Sequence, residues 1–69
     1  MKAKYTVEKA LVLGQWNGDW MITYYCDGRI DYDVHGTKGL GCKLFNSYEK
    51  AVNSGKRYLK KMKENGFHI

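Results

Sequence analysis

The 69-residue sequence contains no proline and only two cysteines. Cys26 and Cys42 match neither a C-x-x-C motif nor a zinc-binding pattern, and His35 and His68 add no paired ligand spacing. No apolar run approaches the ~20 residues of a membrane-spanning helix, and no signal peptide opens the chain. These absences predict a cytoplasmic protein with two reduced thiols, no metal or other cofactor and no membrane partner.

Motifs for catalysis are also missing from the sequence. It has no Ser-His-Asp arrangement and no phosphate-binding glycine motif. Asp31 and Asp33 could form an acid–base pair, but carboxylates on an open strand face lack the pocket that such chemistry needs. A chain of this length is too short to enclose a large catalytic cleft. We therefore predict a single domain over residues 1–69 that is not an enzyme.

Positive charge dominates the composition, with twelve Lys and Arg residues against seven Asp and Glu and a net charge of +5. Most of the surplus lies in residues 46–69, which hold six basic residues and two glutamates. Such a segment either binds nucleic acid or is an ordinary solvated helix surface. The candidate nucleic-acid-binding residues are Arg29, Lys56, Arg57, Lys60, Lys61 and Lys63.

Two dipeptides, Asn17-Gly18 and Asp27-Gly28, are typical of two-residue β-hairpin turns, because both central residues of a type I′ turn need positive φ. The runs around them are rich in β-branched and aromatic residues. They predict a three-stranded antiparallel meander over residues 5–34, followed by a loop at 35–45. The expected strands are Tyr5–Trp16, Asp19–Cys26, Arg29–Val34 and a short fourth piece at Cys42–Phe45.

A C-terminal helix over about residues 47–64 completes the predicted α+β fold. Asn46 is a good N-cap with Glu49 three positions later, and Asn65-Gly66 is a helix stop. Gly55 lies on the apolar side, where its use is close approach of the helix to the sheet. The apolar stripe comprises Tyr48, Ala51, Val52, Gly55, Tyr58, Leu59 and Met62.

The register set by these turns divides the sheet into two faces. The uncharged face suits packing against the helix, and it comprises Ala10, Val12, Gly14, Met21, Thr23, Tyr25, Ile30, Tyr32 and Val34. The other face is expected to meet solvent, and it comprises Leu11, Leu13, Gln15, Trp20, Ile22, Tyr24, Asp31, Asp33 and His35.

An exposed face with this composition predicts a protein-binding site, because contiguous apolar and aromatic surface commonly marks an interaction. Its candidate residues are Trp20, Ile22, Tyr24, Asp31 and Asp33, with Asp19 and Asp27 at the rim. An acidic rim favours a basic partner such as a nucleic-acid-processing enzyme, which the protein would inhibit by occlusion. Several alternatives stay open. Residues 66–69 or the 35–45 loop could cover this face, a homodimer could form through it, and a slipped register or a β-bulge could redistribute its residues.

From Gly18 to Lys61 the chain resembles the small β-β-β-α domains of the AP2 type, including integrase arm-binding domains. The resemblance is carried by Trp20, Tyr24-Tyr25, Asp27-Gly28-Arg29, Phe45-Asn46-Ser47 and Glu49-Lys50-Ala51. It implies DNA binding through the open sheet face, with basic and aromatic side chains in the major groove. Asp31 and Asp33 on that face would oppose phosphate contacts, so we expect a different partner. In size and character the chain also resembles phage anti-defence proteins, such as anti-CRISPR and anti-restriction proteins.

Overall fold

The computed structural model of the chain describes residues 2–32 and 42–69. It contains four antiparallel strands and one helix, which confirms the predicted α+β class. The central strand β2 pairs with β1 along one edge and with β3 and β4, one after the other, along its second edge. Asp33, Val34, His35 and the rest of the 33–41 segment lie outside the described residues. The elements are β1 (Ala3–Val12), β2 (Gln15–Cys26), β3 (Arg29–Ile30), β4 (Cys42–Phe45) and α1 (Tyr48–Glu64).

The first hairpin turn is at Leu13-Gly14, so its predicted position at Asn17-Gly18 is wrong. Leu13 and Gly14 have φ values of +52° and +78°, and Val12 pairs with Gln15 across them. A turn at residues 17–18 would leave the chain before Lys9 without a partner on β2. The observed register pairs β1 from Ala3 onwards and so satisfies more backbone donors and acceptors.

Asn17-Gly18 instead belongs to a bulge within β2. Lys9 pairs with Trp20 and Leu11 pairs with Trp16, so residues 17–19 lie opposite Ala10 alone. Gly18 takes a φ of +91° there, which is the backbone freedom that a bulge requires. The predicted turn at Asp27-Gly28 is confirmed, since Asp27 has a φ of +57° and Cys26 pairs with Arg29.

The assignment of the two sheet faces is also wrong, because α1 covers the face expected to meet solvent. Ile22 and Tyr24 are 0% exposed beneath the helix. The β1–β2 register places Val7 beside Ile22 and Tyr5 beside Tyr24, which creates one continuous apolar surface for the helix to bury. The face predicted to be the core, which includes Met21, Thr23 and Tyr25, is the face turned away from α1.

Helix α1 rests on this surface through small residues and two tyrosine hydroxyls. Gly55 lies against the ring of Tyr5, and a Cβ atom at Gly55 would stand 2.5 Å from that ring, so the predicted close approach is confirmed. Buried Ser54 shares a hydrogen bond of 2.7 Å with the hydroxyl group of Tyr24. Because buried hydroxyls need partners, this pair fixes α1 over β2. Phe67 of the C-terminal tail adds to the same core.

The two ends of α1 follow known capping rules. Its N-cap is Ser47, whose hydroxyl accepts from the Lys50 amide at 3.1 Å, so the predicted cap at Asn46 is off by one residue. Asn65-Gly66 ends the helix as predicted, and Gly66 takes a φ of +91°. The amide of Phe67 donates to the Met62 carbonyl at 3.0 Å, as in a Schellman motif.

Both thiols are free. The register places Cys26 on the helix-facing side of β2, whereas Cys42 pairs with Thr23 on the opposite face. Burial and the nearby carboxylates of Asp31 and Asp27 raise the pKa of the Cys26 thiol. A high pKa keeps a thiol protonated and slow to react. The Cys26 side chain packs against the core cluster.

Candidate binding surfaces

The predicted apolar and acidic patch does not form a surface in the structure. Ile22 and Tyr24 are in the core, and of the predicted apolar residues only Trp20 retains a half-exposed side chain. Asp33 lies outside the described residues. The prediction that Ile22 and Tyr24 are exposed is therefore wrong, because α1 covers both side chains.

Asp31 faces α1 and takes part in the contact between sheet and helix. The Tyr58 hydroxyl has one hydrogen to donate, and two acceptors share it: the Asp31 carboxylate at 3.0 Å and the Tyr25 carbonyl at 2.9 Å. Burial first, and then the Asp31 carboxylate, raise the pKa of Tyr58 far above its ordinary value. Asp31 therefore anchors the helix. The expectation that it would repel DNA on an open sheet face is wrong, because α1 packs on that face.

The two rim residues are far apart along β2 and do not frame one patch. Asp19 is in the bulge, where its backbone carbonyl accepts a 2.7 Å hydrogen bond from the indole nitrogen of Trp16. Asp27 is at the other end of β2, and its amide donates to the Lys2 carbonyl at 2.6 Å. The charge pattern expected around the patch is thus not assembled.

Among the residues that the structure describes, the end of the β1–β2 hairpin has the most exposed apolar side chains. Leu13 is 99% exposed, Leu11 and Val12 are 61% and 63% exposed, and Trp16 is 42% exposed. We call these four residues, with Trp20 and Tyr48 behind them, the hairpin end. Leu13 stands about 13 Å along the strand beyond the Lys9–Trp20 pair, at a rise of ~3.3 Å per residue.

Within the hairpin end, aromatic side chains connect β2 to the start of α1. The Trp16 and Trp20 rings meet edge to face at 5.3 Å, and Trp20 meets Tyr48 in the same way at 4.9 Å. The ammonium group of Lys9 lies 4.4 Å from the centre of the Trp16 ring. Edge-to-face and cation–π contacts each contribute roughly 0.5–1.5 kcal/mol. They hold the projecting hairpin in a defined orientation to the helix.

The tip residue Leu13 has a left-handed backbone that leucine seldom adopts. Its φ of +52° puts Cβ close to the following carbonyl, at a cost of roughly 1–2 kcal/mol. Asn, Asp or Gly would occupy the same turn with less strain. Strain of this kind is concentrated at functional sites.

A second surface is a groove of about 280 Å³ between β4 and α1. Lys43 of β4 stands on one side, and Arg57 and Lys61 of α1 stand on the other. Phe45 and the buried Ser54 complete the lining. The three basic side chains are exposed, so the groove is open to solvent and positively charged.

The remaining predicted basic residues lie elsewhere. Lys56, Lys60 and Lys63 are exposed on the outer side of α1, since helical periodicity turns them away from the Ser54–Arg57–Lys61 stripe. Arg29 is exposed in β3, next to the Asp27-Gly28 turn. The structure therefore brings together two of the six predicted cations and adds Lys43.

Sequence reasoning missed several residues of these two surfaces. Leu13 was missed because leucine carries no turn signal, and Trp16 because its contact with Trp20 depends on the bulge. Tyr48 was missed because its contact with Trp20 joins the start of α1 to β2. Lys43 was missed because its place opposite Ile22, on the helix side of the sheet, depends on the pairing of β4 with β2.

Within residues 2–32 and 42–69, no three His, Cys, Asp or Glu side chains are grouped so that they could hold a metal ion. In the same part of the chain, no helix has the length and apolar character needed to span a membrane. Comparison of the chain with protein-family models, curated proteins and solved structures returns no match.

Proposed function

We propose that this protein is a small binding module that docks its hairpin end into an apolar groove of a protein partner. The single observation that carries the proposal is Leu13, a fully exposed leucine at a strained tip position. Exposed apolar patches on small proteins commonly mark interaction sites.

The amino-acid pattern of the hairpin supports an occupant on both of its faces. Ala10, Leu11, Val12 and Leu13 form a continuous apolar run, whereas a strand with one wet face alternates apolar and polar residues. Leu11 points to the α1 side of the sheet with Trp16, and Val12 points to the other side. Ala10 is half-buried, but the other three residues of the run are exposed, which is unfavourable for a free monomer unless a partner buries them.

A rigid presentation of this end also supports docking. The Trp16–Trp20–Tyr48 contacts order the hairpin before any partner binds, which lowers the entropy cost of association. Aromatic residues are enriched among those that dominate binding energy at interfaces. The mode of action that we propose is occlusion, in which the module blocks a surface of its partner.

The positions of the carboxylates do not support a basic partner. The prediction of a basic partner rests on Asp31 and Asp33 with the rim residues Asp19 and Asp27. Asp31 accepts a hydrogen bond from Tyr58 of α1. The proposal therefore keeps a protein partner and an inhibitory or regulatory role. An anti-defence role, such as inhibition of a nucleic-acid-processing enzyme, remains one form of it.

The test is capture of partners from a nuclease-treated lysate of the source organism, with quantitative mass spectrometry of the bound proteins. We expect Leu13→Asn to weaken capture roughly 10- to 100-fold, since full burial of a leucine contributes about 1.5–3 kcal/mol. Leu44→Asn is the matched control, because Leu44 is 58% exposed but lies in β4 opposite Met21, outside the hairpin end.

Three outcomes would contradict the proposal. One is equal capture by wild type and Leu13→Asn. Another is a homodimer, detected by sedimentation, that the Leu13→Asn substitution dissociates, because a second copy would then be the occupant. The third is tight binding of the hairpin end to anionic lipid vesicles in the absence of any protein.

A further inference from the structure

We propose that the groove between β4 and α1 binds the phosphate backbone of a nucleic acid. This site is separate from the hairpin end and does not depend on the function proposed for it. Its basis is the convergence of Lys43, Arg57 and Lys61 from two different elements onto one open groove.

The cations form a row rather than a point. Lys50 precedes Ser54 by four residues, and Arg57 and Lys61 follow Ser54 at three and seven, so all four positions lie on one stripe of α1. From Lys50 to Lys61 the stripe is about 16 Å long at 1.5 Å per residue. That length spans several phosphates of one DNA strand, which are spaced by roughly 3.4 Å of helix axis.

The walls of the groove hold these side chains in place. Ser54 is anchored to Tyr24 at 2.7 Å, which fixes the rotation of α1 and therefore the direction of the stripe. The ammonium group of Lys43 lies 5.3 Å from the centre of the Phe45 ring, so its stem follows the groove wall. Arg57 offers the planar donor pair that binds a phosphate through two hydrogen bonds.

A polymeric anion fits these features better than a small one. The groove is open and two of its three cations are lysines, which are strongly hydrated and bind as point charges. A single phosphate would gain little from such a site, but a strand that follows the row gains from each cation through counterion release. Glu64 lies three residues after Lys61 in α1. Because its carboxylate would repel a phosphate, it marks the C-terminal limit of the row of cations.

The test is fluorescence anisotropy with a labelled 20-base-pair DNA duplex and a labelled 20-nucleotide single strand, in 50 to 200 mM KCl. Three phosphate contacts give a slope of about −2.7 for log K against log salt on duplex DNA, or roughly a 40-fold loss of affinity across this range. We expect wild type to reach at least this salt dependence. The groove variant Lys43→Gln/Arg57→Gln/Lys61→Gln should reduce the slope by about 2.7.

The matched control is Lys56→Gln/Lys60→Gln/Lys63→Gln, which removes the same charge from the outer side of α1. Its slope should stay close to that of wild type. The single variant Arg57→Gln should lower the slope by about 0.9, which tests the site with minimal change to the fold.

Several results would overturn the groove as a nucleic-acid site. If the groove variant and the outer-side control lose the same amount of salt dependence, net charge alone would explain the binding. Binding of poly-glutamate as tight as that of DNA would indicate an acidic protein instead, and absence of binding to both labelled strands at 50 mM KCl would exclude the site. Leu13→Asn should bind both strands like wild type, so failure of this proposal is distinguishable from failure of hairpin docking.

Discussion

Replacement of Leu13 by asparagine should make the protein more stable while it removes the proposed docking residue. Leu13 is 99% exposed, so its side chain makes almost no packing contribution that could be lost. Its φ of +52° is costly for leucine and much better tolerated by asparagine. The substitution Leu13→Asn also places the preferred type I′ dipeptide at the turn, since Gly14 follows.

The expected gain comes from the left-handed conformation alone. A leucine in this region costs roughly 1–2 kcal/mol, and asparagine removes a large part of that cost, so we expect a gain of about 1 kcal/mol. For a domain of this size, 1 kcal/mol corresponds to a rise in melting temperature of roughly 4–8 °C. Thermal unfolding followed by circular dichroism measures this shift.

Two variants separate backbone strain from other effects. Leu11→Asn removes another exposed leucine, 61% exposed, from strand β1, and it should not raise the melting temperature. Gly14→Ala should lower the melting temperature, because Gly14 has a φ of +78° although a Cβ there would meet no other atom within 4 Å.

An unchanged or lower melting temperature for Leu13→Asn would refute the strain argument. If Leu11→Asn raised the melting temperature by the same amount, the gain would come from reduced apolar exposure and not from relief of backbone strain. Greater stability combined with lost partner capture would exclude misfolding as the cause of the binding defect.

Two further predictions concern the contact between sheet and helix. Gly55→Ala should destabilise the protein by about 1–2 kcal/mol in urea unfolding, because the added Cβ meets the Tyr5 ring and overpacking outweighs the gain in helix propensity; exposed Lys56→Ala should be nearly neutral. The raised pKa of Tyr58 means that the folded state holds this proton more tightly, so its stabilisation is complete below pH ~10 and is lost as the pH rises further. Tyr58→Phe should cost about 1–2 kcal/mol at pH 7, since Asp31 loses a donor, and should reduce the alkaline loss measured by urea unfolding at several pH values.

The helix and the second turn could be predicted from sequence because their signals are local. The apolar stripe, Gly55 and the Asn65-Gly66 stop are spaced within one continuous element. Asp27-Gly28 carries the dipeptide that its turn type demands. In each case the residues that cause the local structure are close together in the chain, so the structure can be predicted from that segment alone.

The first hairpin was mispredicted because two dipeptides competed for the turn. Asn17-Gly18 has the stronger local signal, and Leu13-Gly14 prevails because it allows Ala3 to Lys9 to pair with β2. The long-range pairing outweighs the local preference, and Asn17-Gly18 is retained as a bulge. The error then carried over to the predicted binding surface.

By itself the sequence determined the α+β class, the extent of β4, the body of α1 and the grouping of Trp20, Ile22 and Tyr24 on one side of β2. Those properties follow from periodicity and backbone preference within single segments. Only the tertiary structure decided which side of the sheet α1 covers, because that depends on the summed apolar area of β1 and β2 in register. The same packing joined Asp31 to Tyr58 and brought Lys43 to face Arg57, since each of these contacts links residues from distant parts of the chain. It also left Leu13 exposed at the tip.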